Sequence, residues 1–284
     1  MSANFLYPQN FIKYLGTGGA RFCMMSQMRW TGGIWFSYGG LNGVIDPGPG
    51  SLHHICCASP ELAPRNVRAI ILTHRHLDHS TDINVMAEAM TEAGFKKQGK
   101  IILPQDAFSS PDPVLLKYCA QKVEEVICAK DKIQIDLGMG VTAEPVSHTH
   151  HGVECYGMIF RKEGLSTWGV ISDTKPLASF AERYADCVYI SINATFPDKK
   201  PRLEHMSIAD VGELLERLHP KLATISHMGV VLIENGPEKY AKQISTEQTK
   251  VLAGKDGMVI DLDTLKVYSP ISRERTADEY QTIE

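Results

Sequence analysis

The sequence predicts an α/β protein built as one domain, and three observations carry that expectation. Short apolar runs of strand length, at residues 69–72, 99–104, 168–173 and 221–227, alternate with stretches of helical apolar spacing at 80–92 and 207–218. No linker divides the 284 residues, a length ordinary for a single α/β domain. With 43% hydrophobic and 22% charged residues, the chain can bury a large core.

Taken in order, residues 11–16 alternate as a first strand and end in a turn rich in glycine, Gly16, Gly18 and Gly19. Neither a Gly-Lys-Ser/Thr ending nor a complete Gly-x-Gly-x-x-Gly follows, so this turn reads as a connection and not as a phosphate loop. Residues 31–36 and 43–46 are the next expected strands, closed by Pro47, Gly48, Pro49 and Gly50 and a helix over 51–57. Asp46, a carboxylate before Pro-Gly, reads as a residue that fixes loop geometry. His53 and His54 read as surface residues of that helix, and Cys56 and Cys57 as core.

The strand at 69–72 runs straight into Thr73, His74, His76, Asp78 and His79. Imidazole nitrogen and carboxylate oxygen are the donors that hold a borderline divalent metal. In an extended or turning segment His74 and His76 point to the same side, while Asp78 and His79 fall on the turn opening the next helix and can face a second position. That arrangement suits two metals better than one. Ile83, Met86, Ala87 and Met90 give residues 80–92 a helical stripe.

A strand at 99–104, a Pro-rich loop around 109–113, strands near 124–128 and 132–135, and a strand at 141–148 lead to a second cluster, His148, His150 and His151. The strand at 168–173 ends in Asp173, which in isolation reads as the N-cap of a following helix. Another strand is expected at 186–192. Ser207 is the natural N-cap of a helix whose stripe is Val211, Leu214, Leu215 and Leu218, with His205 just before it. The strand at 221–227 ends in His227. A helix over 237–249, strands near 258–260 and 265–267, and a loose tail after about Arg273 complete the expected order.

This ordered set resembles the metallo-β-lactamase superfamily over roughly residues 11–270, in its ribonuclease Z-like and compact phosphodiesterase branch. The resemblance implies a four-layered αββα sandwich with the site at one edge, between two sheets. It implies two divalent metal ions: His74, His76 and His151 holding one, Asp78, His79 and His227 the other, and Asp173 bridging. His151 is chosen over His148, the next candidate, because in those branches the ligand lies a few residues before an aromatic-Gly pair, here Tyr156 and Gly157. His150 then faces the substrate or supports a ligand, and Asp46 supports the site from behind. By the same resemblance Asp78 also orients the nucleophile, and His205 protonates the leaving oxygen. Zinc is the expected metal, with manganese or iron accepted by the same donors. His76, where the flavodiiron branch carries Glu, points to hydrolysis and not redox chemistry.

Two cations that lower the pKa of a bridging water and stabilise charge in an in-line displacement suit phosphodiester cleavage. Only 21 residues separate His151 from Asp173, leaving no room for the long arm with which tRNA-processing members grip their substrate. The net charge is −4 without a basic cluster, so nucleic acid is not the expected partner. A small cyclic or aryl phosphodiester is. The alternatives are a ribonuclease Z-like tRNA 3′-processing endonuclease, a lactone or thioester hydrolase, and a non-catalytic metal-stabilised binding module, against which the intact ligand set counts. Seven cysteines without regular spacing, an N-terminus without a leader-like pattern and no apolar run of 18 residues predict a cytoplasmic protein off the membrane. A homodimer stays open.

Overall fold

In the computed structural model, which describes residues 5–270 and 280–283, the alternation of side chains along the strands sorts the apolar residues into three cores. The first sheet is built from β1 (Phe11–Tyr14), β2 (Ile34–Tyr38), β3 (Leu41–Ile45), β4 (Ala69–Ile71), β5 (Lys100–Leu103) and β6 (Glu125–Cys128). The second holds β7 (Ile135–Gly138), β8 (Val141–Ser147), β9 (Tyr156–Arg161), β10 (Trp168–Ile171), β11 (Tyr189–Asn193), β12 (Leu222–Ser226) and β13 (Lys250–Ala253). The chain then returns to the first sheet with β14 (Val259–Asp261), β15 (Val267–Pro270) and β16 (Tyr280–Ile283). Among the described residues the orders are β16-β15-β14-β1-β2-β3-β4-β5-β6 and β13-β12-β11-β10-β9-β8-β7.

Between the sheets, Ile12, Tyr14, Phe36, Ile71 and Ile102 of the first meet Met158, Phe160, Trp168, Tyr189 and Leu222 of the second. The neighbouring positions Phe11, Val44, Ile70 and Ile101 turn outward onto Ile83, Met86, Ala87 and Met90 of the helix Ile83–Met90. On the far side Ile190, Ile192, Ala223 and Ile225 pack against Val211, Leu214, Leu215 and Leu218 of the helix Ile208–Leu218. Each such side chain is worth about 1.5–3 kcal/mol when fully buried, several times any difference in helix propensity, so packing and not propensity holds these helices. The result is the four-layered αββα sandwich that the family resemblance implied.

β3 through β6 run parallel, as do β10 through β13, so the carboxyl ends of β3, β4, β10, β11 and β12 can carry functional loops. Several local expectations change. The single helix over 80–92 is two, Leu77–Ser80 and Ile83–Met90, with the first beginning immediately after His76. The loop around 109–113 is flanked by short helices Gln105–Ser109 and Lys117–Ala120. The strand near 132–135 lies at 135–138, and no helix starts at Asp173, the next being Phe180–Arg183. The helix over 237–249 stops at Gln243 and the chain re-enters the sheet as β13, where pairing with β12 wins over the helical pattern.

Cys56 and Cys57, expected in the core, are exposed, because the helix Ser51–Cys56 turns only Ser51 and Ile55 inward. His54 is half-buried and stacks on Trp30 with ring centroids 3.9 Å apart, unlike the surface residue expected. Of the tail expected after Arg273, residues 280–283 pair with β15 as an antiparallel strand and the remainder lies outside the described residues. No helix among the described residues is long and apolar enough to cross a membrane.

Candidate metal centre

Five loops meet at the carboxyl edge of the two sheets. β3 delivers Asp46, β4 delivers Thr73, His74, His76, Asp78 and His79, and the turn after β8 delivers His150. β10 ends in Ser172 and Asp173, and β12 ends in His227. Asp46 and His227 adopt φ of 49° and 56°, a left-handed conformation that Asp and His tolerate better than most residues and that turns each side chain sharply back across its strand end.

The side chains form two sets of donors. In one, His76 Nδ1 lies 3.0 Å from His74 Nε2 and 3.1 Å from His150 Nε2. In the other, His227 Nε2 lies 3.0 Å from His79 Nε2 and 3.2 Å from Asp78 Oδ2. Asp173 Oδ2 stands between them, 3.6 Å from His150 Nε2, 3.6 Å from His79 Nε2 and 3.3 Å from His227 Nε2.

The hydrogen bonds on the far side of each ring decide what the near side offers. His79 Nδ1 donates to Asp46 Oδ2 at 2.8 Å, His150 Nδ1 to the Glu204 carbonyl at 2.8 Å, and His227 Nδ1 faces Thr195 Oγ1 at 3.2 Å. His74 Nδ1 faces Thr73 Oγ1 at 3.1 Å. With Nδ1 so engaged, Nε2 of each ring turns inward toward other nitrogens and carboxylate oxygens of the cluster, a concentration of acceptors that a shared cation holds together. Two nitrogens on one tetrahedral zinc, each about 2.0–2.1 Å from it, sit roughly 3.3 Å apart, close to the separations seen, so the donor set fits a metal ion at each group.

Electrostatics agree. Burial pushes His74 well below the usual imidazole range and His76 and His150 down to about 4, so these rings are neutral at neutral pH and each keeps one nitrogen free of a proton. Burial opposes charge on His79 too, but Asp46, Asp78 and Asp173 outweigh it and hold its pKa well above the ordinary value. Burial would likewise raise Asp173 and Asp78, yet the surrounding imidazoles, His227 first for Asp173 and His79 first for Asp78, keep both carboxylates below their usual range. Three carboxylates around one imidazole make a place that demands positive charge, which a proton on His79 or a divalent ion can supply.

The structure gathers His74, His76, Asp78, His79, Asp173 and His227, and it turns His150 rather than His151 toward His76, while a His151 nitrogen stays within 4.8 Å of nitrogens of His150 and His205. His151 adopts φ 44°, donates its backbone N–H to the Glu204 carboxylate and leaves its ring exposed, centred 6.4 Å from the His76 ring against 4.9 Å for His150. The cause is the turn closed by Val153 N to His150 O at 3.1 Å, which throws position 151 outward. His148, the next candidate, is buried away from the donors, its Nε2 3.3 Å from Tyr184 Oη and its ring against Phe180. His205 reaches the site, with Nδ1 3.5 Å from Asp173 Oδ2.

Residues without a role in the sequence reading also converge here. Thr73 donates its backbone N–H to Asp46 Oδ1 at 2.7 Å and its hydroxyl to Asp46 Oδ2 at 2.8 Å, locking the carboxylate that holds His79. Asn193 Nδ2 donates to Asp173 Oδ1 at 2.8 Å, leaving Oδ2 for the donors. The glycine-rich turn lies against the second group: Ala20 N donates to Asp78 Oδ2 at 3.0 Å, and a Cβ on Gly19 would stand 2.1 Å from the His227 ring. A turn with three glycines near the first strand was the one signal available for it.

Residues 42–228 match the family model described as the Beta-lactamase superfamily domain. An uncharacterized protein of Methanocaldococcus jannaschii is 29% identical over 259 residues, spanning 88% of this chain and 94% of its own. The metallo-beta-lactamase fold protein YhfI of Bacillus subtilis superposes with a TM-score of 0.72 at 19% identity, over 88% of this chain and 98% of its own. A diphosphatase from the PhnP family superposes with a TM-score of 0.64 at 18% identity, over 88% and 96%. At those identities the two solved structures share the fold.

Proposed function

Because the chain belongs to the beta-lactamase superfamily, we propose that it is a metal-dependent hydrolase that cleaves small phosphodiesters, cyclic or aryl, with His205 acting on the leaving oxygen. His74, His76 and His150 would hold one ion, Asp78, His79 and His227 the other, and Asp173 both. Bound there, zinc, or manganese or iron on the same donors, would supply Lewis acidity toward a phosphoryl oxygen and a water of lowered pKa.

The observation that carries the reading is a carboxylate oxygen shared by both donor sets with an imidazole from neither set beside it: Asp173 Oδ2 is 3.5 Å from His205 Nδ1. Asp78, whose Oδ2 also accepts from Ala20 N, is fixed to orient what approaches the second group. His205 is pushed down to about 4 by burial, so at neutral pH it rests neutral and carries a proton only in passing, on its way to the departing oxygen. The short segment between the second histidine cluster and Asp173, together with the net charge of −4, supports a small substrate over nucleic acid. The PhnP-family diphosphatase lends support to phosphorus–oxygen hydrolysis on this fold.

Kinetics on two leaving groups test this. General acid catalysis contributes roughly 10²–10⁴-fold, and its loss shrinks when the leaving group departs unprotonated. His205→Ala should therefore cripple hydrolysis of an alkyl or nucleoside diester while sparing a p-nitrophenyl diester. Equal losses on both remove the proton donor, and turnover confined to lactones or thioesters removes the phosphodiesterase.

A further inference from the structure

Thr195 sits just beyond β11, 2% exposed, and its main chain joins the two loops that carry His205 and His227. Its N–H donates to the carbonyl of Met206, next to His205, at 3.0 Å. Its carbonyl accepts from Gly229 N, two residues past His227, at 3.1 Å, and a Cβ on Gly229 would come within 2.7 Å of that carbonyl oxygen. Its hydroxyl is therefore held at a fixed point between the two imidazoles.

That hydroxyl has three neighbours: the His227 carbonyl at 3.3 Å, His227 Nδ1 at 3.2 Å and His205 Nδ1 at 3.1 Å. A threonine hydroxyl owns one donor and two lone pairs, and a carbonyl can only accept. Giving its proton to the carbonyl leaves two lone pairs for the two ring nitrogens. Both nitrogens must then arrive as N–H groups. For His227 this leaves Nε2 without a proton, an acceptor that faces Ala20 N–H at 3.3 Å as well as His79, Asp78 and Asp173. For His205 it reserves Nδ1–H for Thr195 and Asp173 and leaves Nε2 as the nitrogen that exchanges a proton.

We propose that Thr195 is a positioning residue that sets the tautomers of His227 and His205 together, through one hydroxyl, so that a ligand nitrogen and a proton-exchanging nitrogen are fixed by the same group. The His205 half rests on the proton-donor reading above; the His227 half does not. In the step concerned, the His205 Nε2–H bond breaks and the leaving oxygen–H bond forms. His205 returns to its neutral Nδ1–H form, which Thr195 already favours, and is reloaded from solvent.

Nitrogen-15 NMR of histidine side chains in the zinc-loaded protein reads the tautomers without any substrate. The expected result is protonated Nδ1 on both His227 and His205. A wild-type spectrum with the His205 proton on Nε2 overturns the proposal, whatever the variants do. Thr195→Val, which keeps the branched shape, should loosen one ion by about 10–100-fold in chelator competition and release the His205 tautomer, and Thr195→Ser should restore both. Val with wild-type ion retention and tautomers, or Ser behaving like Val, also overturns it. Because these readouts use zinc alone, an inactive protein with the expected spectra would refute the phosphodiesterase assignment and leave Thr195 in place.

Discussion

Replacing Asp46 by Asn tests the site through a residue that touches no ion. Asp46 accepts three hydrogen bonds, from Thr73 N at 2.7 Å, Thr73 Oγ1 at 2.8 Å and His79 Nδ1 at 2.8 Å. Asparagine keeps the volume and tolerates φ of 49° as aspartate does, so the backbone is not perturbed. Its amide, however, has one acceptor where the carboxylate has two. With Oδ1 on Thr73 N, the NH₂ faces His79 Nδ1–H, donor against donor. The Thr73 hydroxyl can turn to Ser172 Oγ at 2.8 Å, but His79 can escape only by moving its proton to Nε2, the nitrogen that faces His227 and Asp78. A hydrogen bond to a charged group is worth about 1.5–3 kcal/mol, and loss of such a support costs roughly 10–100-fold in metal affinity, or about 1.4–2.7 kcal/mol. The two figures agree. Equilibrium dialysis against graded zinc buffers, with ions counted by elemental analysis, should show one ion weakened by that factor while the other, on His74, His76 and His150, is held more nearly as before. Wild-type affinity for both ions would refute the reasoning, and preferential loss of the His74 group would show that Asp46 supports the wrong set.

Two further outcomes follow from the same geometry. His150→Ala should lose about one ion per chain and turnover with it, while His151→Ala keeps both ions by elemental analysis; the reverse pattern would return the ligand to position 151. Acid should destabilise the fold from the histidine side before the carboxylates matter. Burial holds His148 at about 3 and His76, His150 and His205 at about 4, all depressed in the fold, so between pH ~6.5 and ~4 the unfolded chain binds more protons. Stability therefore rises with pH across that window and is lost as pH falls through it. His79 has the opposite sign, being raised, and offsets part of this; Asp78 and Asp173, depressed, withdraw their contribution only below their unfolded value near 4. Urea midpoints measured from pH 7 to 4 should fall steadily, and a flat profile from 6.5 to 4.5 would contradict the burial of these rings.

Much of this was legible in the chain because it is local. The apolar run at residues 69–72 and the donors after it lie within about ten positions, and strand alternation plus the Ser207 cap mark their own elements, the cap closing as a box in which the Ser207 and Asp210 side chains each bond the other's backbone N–H. The family resemblance supplied the distant partners Asp173 and His227, which local pattern alone would read as a helix cap and a strand end. Short helices such as Gln105–Ser109 and the edge strand β13 were not legible, since a few residues carry too little periodicity to outweigh their tertiary neighbours.

The sequence by itself determined the donor types and the order in which the strands bring them, because residue chemistry and apolar period are properties of single segments, and the four layers followed from the family resemblance. The tertiary structure alone decided that His150 and not His151 turns toward His74 and His76, since a turn closed between His150 and Val153 and a left-handed φ at His151 leave the second ring exposed beside the first. It alone joined Asp46 to His79 across 33 positions, Ala20 to Asp78 across 58 and Thr195 to His205 and His227 across 10 and 32. A hydrogen bond is set by distance and angle between groups that the fold brings together, and a glycine-rich turn or a buried threonine carries no mark in its own segment of the imidazole it will meet.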